Sequence, residues 1–420
     1  MAGLWNMRRT ARPADDVAAG EWRRGWPIVA AAMLGSGLGP GLYQNLSSLF
    51  VPGLERDMGW SRGDIATAAG VGMIGALAAP AIGRAADRLG VRPVVVASML
   101  VLALGYLWLA SVAGALWHYT VGVMLVVLAL PGTSSLSFGK LIAARFVAHR
   151  GMALAFGTSG LAAMTVVVAP LLGVVIDAYG WRAALVAMGV ASLAVALPPI
   201  LLAIRDAPLA EAPPAGDAAP APVPPGMTAA QARRDPRFWL LIASAVLINF
   251  ATTGLVTQMV PIGIERGLPA AEAALLLTGF GVSAIAGRIL VGVLVDRLPA
   301  FPVAGSIAIV SAAAFLLLGW APGGLATLLA IVFLCGLMNG AENDLLPFLA
   351  ARLFGLRAFA EIYGTAMPIA LAGSAIGIVG FGRLHDHSGS YALALAAGSG
   401  ALLLAAGCFV ALSRVGTGRG

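Results

Sequence analysis

Apolar runs of membrane-crossing length recur along almost the whole chain, and that recurrence decides what it can fold into. They lie near 26 to 51, 64 to 84, 93 to 113, 116 to 141, 151 to 176, 182 to 204, 238 to 260, 272 to 295, 301 to 320, 325 to 350, 361 to 383 and 391 to 413, each set off by charged or Pro/Gly punctuation. About 20 apolar residues carry a helix across the hydrocarbon core, so twelve crossings consume about 240 residues. The chain has 420, of which 60% are hydrophobic and 11% charged, against about a quarter charged in soluble domains. A soluble globule is excluded, and little chain remains for an extramembrane domain. The 54 glycines suit close helix contacts in lipid, where small residues let backbones approach.

The Pro/Ala-rich stretch 205–237 divides the runs into six and six; with seven prolines from Pro208 to Pro225, it reads as an extended cytoplasmic linker. The expected organisation is a tail 1–25, a six-helix bundle 26–204, the linker, a second bundle 238–413 and a tail 414–420. The first tail carries Arg8, Arg9, Arg12, Arg23 and Arg24 without the apolar core of a secretory signal, and Trp22 and Trp26 read as interfacial anchors. With the amino terminus cytoplasmic, 20 Lys/Arg fall on that side and five on the other: Arg56, Arg62, Arg182, Arg266 and Arg383. Positive loops are retained inside, so both termini are expected in the cytoplasm, with the chain in a cell membrane, for a bacterium the inner one. The net charge of +7 is scattered singly between apolar spans and does not point to nucleic acid. Cys335 and Cys408 cannot build a disulfide framework or thiolate metal cage.

An internal repeat supports the division. Val51-Pro52 returns as Val260-Pro261, and Gly83, Asp87 and Arg88 return as Gly292, Asp296 and Arg297, each 209 residues later. Ala143-Ala144-Arg145 returns as Ala350-Ala351-Arg352 at 207, and Asp177 and Gly180 return as Asp386 and Gly389 at 209. Repeats with an even number of crossings share one orientation and are related by an axis along the membrane normal, with a site between them.

The segment Gly83-Arg84-Ala85-Ala86-Asp87-Arg88-Leu89-Gly90-Val91-Arg92 matches G-x-x-x-D-R-x-G-x-R, and on it the chain resembles the major facilitator superfamily. The resemblance implies twelve transmembrane helices in two pseudo-symmetric six-helix bundles and transport by alternating access. Gly59-Trp60-Ser61-Arg62, Arg150-Gly151-Met152-Ala153-Leu154-Ala155, Asp177 to Arg182, Asp235 to Trp239 and Asp386 to Tyr391 are similar to the monocarboxylate transporter and oxalate:formate antiporter branch. Gly83, Asp87, Arg88 and Arg92, with Asp296 and Arg297 of the second half, read as a latch on the cytoplasmic side. Asp344 reads as a partner for arginines such as Arg352.

Ionisable groups inside a span are expensive and are functional candidates. Arg288 lies eight residues before Asp296 in the eighth span, where a guanidinium needs a helix carboxylate or the carboxylate of a transported anion. The branch places an anion-binding arginine at this point. Ala284 stands where some monocarboxylate transporters have an acid, and the eleventh span has no lysine, so recognition of a dianion by paired cations is not implied. Glu342, in Asn339-Gly340-Ala341-Glu342-Asn343-Asp344, is the candidate to pair with Arg288 or take up a proton. Tyr43, Gln44 and Asn45 in the first span and Asn249, Thr253 and Gln258 in the seventh are candidates to complete a binding site or to bond between helices. The glycines of Gly35 to Gly41 would let the first helix bend.

Lys140 reads as the cytoplasmic end of the fourth span, and His385 and His387 as solvated loop residues rather than metal ligands. No nucleophile-base pair or zinc motif appears, so an enzyme, a cofactor and a metal are not expected. The expected function is secondary transport of a small organic anion, a monocarboxylate, by a monomer, with protons as a candidate coupling ion. An exporter of apolar or cationic compounds and a carrier-like solute sensor are the alternatives.

Overall fold

The first expected span breaks where its glycines lie. Helix Ala14–Gly37 ends at Leu38 and Gly39, and the chain resumes as Pro40–Leu46, the 3-10 turn Ser47–Leu49 and Val51–Met58. Pro40 enters at a helix start, where its missing N–H has no cost. The computed structural model describes residues 14–133, 135–146, 149–204, 226–295, 297–355 and 357–416, without the side chains of 14–20, 87, 135–136, 140, 143–144, 150–151, 343–344, 360 and 415–416. Among the described residues, ten helices are long and apolar enough to cross a membrane. One of these, Met152–Ala203, has 52 residues; at 1.5 Å per residue that is about 78 Å, more than twice the hydrocarbon thickness. Gly180, at φ 83° and ψ 167°, divides it into two helices. With the broken first segment, each of the twelve expected crossings has a helical counterpart.

The repeat seen in the sequence recurs in the packing. Gly160 of the fifth span lies on the backbone of Met33 in the first, so closely that a Cβ would strike the Met33 carbonyl. In the second half Gly373 and Gly377 of the eleventh span lie in the same way on Val246 and Phe250 of the seventh. Gly75 on Met124, and Gly340 on Ala284, repeat the arrangement for spans two with four and eight with ten. The paired glycines Gly180 and Gly389 both take positive φ, 83° and 70°.

The half-buried Trp22 ring packs edge-on to Phe146 at 5.1 Å, and Trp26 is exposed. A sequence expectation needs correction here. The linker is not extended throughout. Residues 205–225 and the tail arginines Arg8, Arg9 and Arg12 lie outside the described residues, but Met227 N–H donates to Phe354 O at 2.8 Å and helix Ala229–Arg234 follows. Thr228 and Gln231 form a capping box there, and Ala229 and Ala232 are buried against the second half.

The two halves meet through the second span with the eleventh and the fifth with the eighth. Gly70 faces Val379, Gly382 faces Ala66, Gly281 faces Val166, and a Cβ on Gly173 would touch Ala274 at 3.4 Å. These contacts lie toward the face opposite the chain termini, here the gate face, where charged groups close the seam. Asp386 accepts from Ser61 Oγ at 2.6 Å and from Gly63 N–H at 3.0 Å, so a carboxylate of the second half caps the helix Arg62–Gly72 of the first. Arg383 pairs with Asp64 at 3.1 Å and donates to Thr67 Oγ1 at 2.9 Å. Arg62 is held by Glu55 of its own half at 2.8 Å, donates to His385 Nε2 at 3.1 Å and lies 3.8 Å from Glu265. His385 therefore belongs to this seam and is not a solvated loop residue. Within the first half, the Trp181 indole N–H, with Arg56 and Arg182, holds the Asp57 carboxyl below the ordinary carboxylate range.

On the opposite face, which carries the termini, a Cβ on Gly83, Gly292 or Gly364 would meet nothing within 4 Å. Among the described residues, the ion pairs that join the two halves lie at the gate face.

Two outcomes follow. Gly160→Ala is expected to destabilise the protein by about 1–3 kcal/mol through overpacking, and Gly407→Ala, which meets open space, to leave thermal unfolding in detergent unchanged or slightly raised. Asp386→Ala removes two bonds across the seam and is expected to shift the closed-to-open ratio of the gate face about tenfold toward open. Spin labels at Ala113 and His387, both exposed on that face, would report it as a population at longer distance.

Candidate functional site

Beneath the charged seam lies a hollow of about 600 Å³, part of it open to solvent, with walls from both halves. Tyr43, Gln44, Tyr119 and Met73 come from the first half, and Thr257, Gln258 and Ile378 from the second. The Tyr43 hydroxyl donates to the Tyr119 hydroxyl at 3.1 Å. Gln258 is 1% exposed, and its Oε1 accepts from the Tyr391 hydroxyl at 2.7 Å. Tyr391 in turn stacks on His385, ring centroids 4.4 Å apart, and lies under the Arg62 guanidinium at 5.5 Å, so the hollow and the seam share a wall. Among the described residues, no charged one lines the hollow.

Arg288 is elsewhere. It stands 18 residues into helix Ala270–Val295, about 27 Å from its gate-face end. Its Nη1 lies 3.5 Å from Thr158 Oγ1, on the fifth span of the other half. The guanidinium is therefore turned to the seam between the halves. Among the described residues no carboxylate lies within 4 Å of it.

The expected Arg288–Glu342 pair is not formed. Glu342 is buried, and its Oε1 accepts a short bond from Asn249 Nδ2. Asn249 Oδ1 accepts from Ser374 Oγ at 3.0 Å, and Ser374 meets Thr253 Oγ1 at 3.1 Å. One polar chain thus ties spans seven, ten and eleven inside the second half. The local cause is spacing: Asn249 and Thr253, four residues apart, share one face of their helix. Asn45 likewise donates to Thr165 Oγ1 at 3.1 Å within the first half. Of the neutral candidates, Tyr43, Gln44 and Gln258 line the hollow, while Asn45, Asn249 and Thr253 bond between helices.

On the tail face, Arg88 and Arg297 are exposed, and Arg92 Nη2 lies 3.5 Å from Leu201 O of its own half. Gly83 faces open space. Asp296 and the side chains of Asp87, Asp344 and Lys140 lie outside the described residues. Among the described residues no group of three His, Cys, Asp or Glu is placed to hold a metal ion.

The gate-face cluster of Ser61, Arg62, Glu265, Arg383, His385 and Asp386 was not foreseen as a unit. Its signal was present in the two loop segments Gly59 to Arg62 and Asp386 to Tyr391, which are 325 residues apart for the Ser61–Asp386 bond.

Comparison with known proteins agrees with this architecture. A family profile, Major Facilitator Superfamily, matches residues 28–378. Monocarboxylate transporter 11 of Mus musculus is 27% identical over 427 residues, covering 96% of this chain and 90% of the relative. Monocarboxylate transporter 11 of Homo sapiens is 30% identical over 193 residues, 44% of this chain and 38% of that protein. Among solved structures, a bacterial homolog of the human lysosomal transporter Spinster, inward-facing and occupied, superposes with a TM-score of 0.73 at 15% identity, covering 93% of this chain and 97% of that one. The nucleoside transporter NupG gives 0.72 at 15% identity, with 93% and 98% covered. These two likenesses concern the fold. The match along most of the chain, the repeated six-helix halves and the seam between them show that this multi-pass membrane protein is a transporter, not an enzyme, and belongs to the Major Facilitator Superfamily.

Proposed function

We propose that the protein is a secondary active carrier of a small organic anion, a monocarboxylate, working by alternating access. The observation that carries this reading is the Arg288 guanidinium, which reaches from the second half to a neutral hydroxyl, Thr158 Oγ1, of the first. A cation at depth in a membrane protein needs an anionic partner, and a carboxylate accepts two parallel bonds from a guanidinium. Among the described residues that partner is not a side chain. A solute carboxylate is the complement, and the relative named monocarboxylate transporter 11 supports that class.

In this reading the tail face is cytoplasmic, and the form described, with the halves joined at the gate face, is the inward-facing one. The seam around Asp386 closes the outside, and the motif residues Gly83, Asp87, Arg88, Arg92, Asp296 and Arg297, with Asp344, engage when the inside closes. Glu342 is the coupling group. Its bond from Asn249 persists whether the carboxyl is ionised or protonated, because the amide donates and a carboxyl oxygen accepts in either state. A proton then alters the charge balance around Arg288 without dismantling the helix contact. The driving force is an ion or solute gradient, since the sequence carries no ATPase motif.

Uptake of a panel of labelled carboxylates into proteoliposomes tests the reading. Arg288→Ala is expected to reduce carboxylate uptake about ten- to a hundredfold through loss of a charge-assisted bond, with Arg288→Lys retaining part of it. Glu342→Gln is expected to remove the response to an imposed pH gradient while leaving counterflow. Carboxylate transport unchanged by Arg288→Ala contradicts the assignment.

A further inference from the structure

The gate seam holds an imidazole among its fixed charges. His385 is half-buried near the end of helix Phe359–Ser388. Arg62, at the start of helix Arg62–Gly72 in the first half, donates from Nη1 to His385 Nε2 at 3.1 Å. Glu265, at the end of helix Met259–Glu265 in the same half as His385, has Oε2 3.4 Å from Nε2 and 3.8 Å from Arg62 Nη1. The Tyr391 ring lies against the imidazole, with its hydroxyl committed to Gln258. On the helix of His385 itself, Asp386 Oδ1 is 3.8 Å from Nδ1, Arg383 pairs with Asp64 instead, and His387 is exposed. Behind Arg62 stands Glu55, which holds the guanidinium from its own half at 2.8 Å. A guanidinium has donors only, so Nε2 must accept with its lone pair, and the proton of the neutral ring sits on Nδ1. That Nδ1 is buried and has no hydrogen-bond partner among the described residues. A second proton has only the Nε2 lone pair to occupy. There it abolishes the bond from Arg62 and sets two cations against each other across the halves.

We infer that His385 is a pH-sensitive catch in the gate seam: the neutral imidazole accepts from Arg62 and helps hold the halves together, and the charged imidazole releases Arg62 and favours an open gate. The direction follows from which contacts cross the seam. In the neutral state the Arg62–His385 bond joins the two halves. In the charged state that contact becomes a repulsion, while the new attractions, to Glu265 and Asp386, lie within the second half and hold nothing across it. Glu265, which also reaches toward Arg62, then has a competing cation in its own half. Protons therefore bind the open form better than the closed one, and by linkage acid shifts the population toward the open gate. The contacts of Asp386 with Ser61 and Gly63, and of Arg383 with Asp64, remain, so the catch biases the gate and does not release it outright. It rests on the seam alone and holds whatever solute is carried. In the orientation proposed above the gate faces outward, so an acid exterior raises the share of carriers able to load from outside.

Distances between spin labels at Ala113 and His387, in the full-length protein lacking Cys335 and Cys408, read the gate, and the label at 387 also removes the neighbouring imidazole. A Glu342→Gln background keeps the carboxyl assigned to coupling out of the titration, so this proposal and that assignment fail separately. Lowering the pH from about 8 to about 5, the span over which imidazoles change charge, is expected to raise the ratio of long to short distances about tenfold, the equivalent of one bond to a charged group. His385→Gln, whose amide oxygen still accepts from Arg62 and takes up no proton, is expected to keep the closed ratio at both pH values. His385→Arg, permanently charged, is expected to show the open ratio at both. Arg62→Gln removes the cation that a charged imidazole repels; it is expected to flatten the response and serves should His385→Gln fold poorly. With His385 in place, a ratio that ignores pH, or one that moves toward short distances in acid, overturns the proposal. So does an acid response of undiminished size in His385→Gln or Arg62→Gln.

Discussion

In the hydrocarbon region a polar group must find its partner within the protein, because no water is there to replace one. A carrier adds a second demand, since contacts between its halves have to break in every cycle. The structure meets both by sorting its polar contacts according to depth. Within each half several buried polar groups are tied to one another: Asn45 to Thr165, Tyr43 to Tyr119, and Glu342 through Asn249 to Ser374 and Thr253. Across the halves at depth, the bond named for Arg288 is a long one to a neutral hydroxyl. The strong cross-half contacts, Asp386 on Ser61 and Gly63 and Arg383 on Asp64, are kept for the gate face. When the seam there opens, water takes over as partner, and exposed ion pairs contribute only about 0–1 kcal/mol each.

The same sorting applies to backbone packing. Glycines such as Gly160, Gly373 and Gly340 bring helices of one half into backbone contact, which makes each half a rigid body. At the seam the contacts are Val379, Ala66, Val166 and Ala274 against small residues, surfaces that separate without unfolding anything. Gly39, extended at the break in the first span, and Gly180, at positive φ, are among the points where the first half needs a non-helical backbone. Rigid bundles and a dissociable seam are what a rocking carrier requires.

Much of this was legible in the sequence. The apolar runs, the offset of about 209 residues and the Gly83 to Arg92 motif together specify a twelve-helix, two-bundle transporter. The glycines of 35–41 foretell the break in the first helix, and Arg288, a cation inside an apolar span, stands out by type and position alone. The partners were not legible. Glu342 and Arg288 look like a pair because both are charged and similarly deep, yet helix rotation turns Glu342 to Asn249. His385 looks like a loop residue until the approach of Arg62, 323 residues earlier, is known. Periodicity and composition report on one helix at a time, whereas these pairings depend on how two distant helices are rotated against each other.

The central claim is that the side chain at position 288 meets an anion in a watered passage between the halves. Arg288→Cys in a background lacking Cys335 and Cys408, treated with a membrane-impermeant ammonium-bearing methanethiosulfonate, addresses it most directly. The account predicts modification from the aqueous phase, slower in the presence of a carboxylate substrate, with carboxylate uptake partly restored as the positive charge returns. A thiol at that position that reacts only with lipid-soluble reagents, in a protein that remains folded, would contradict it.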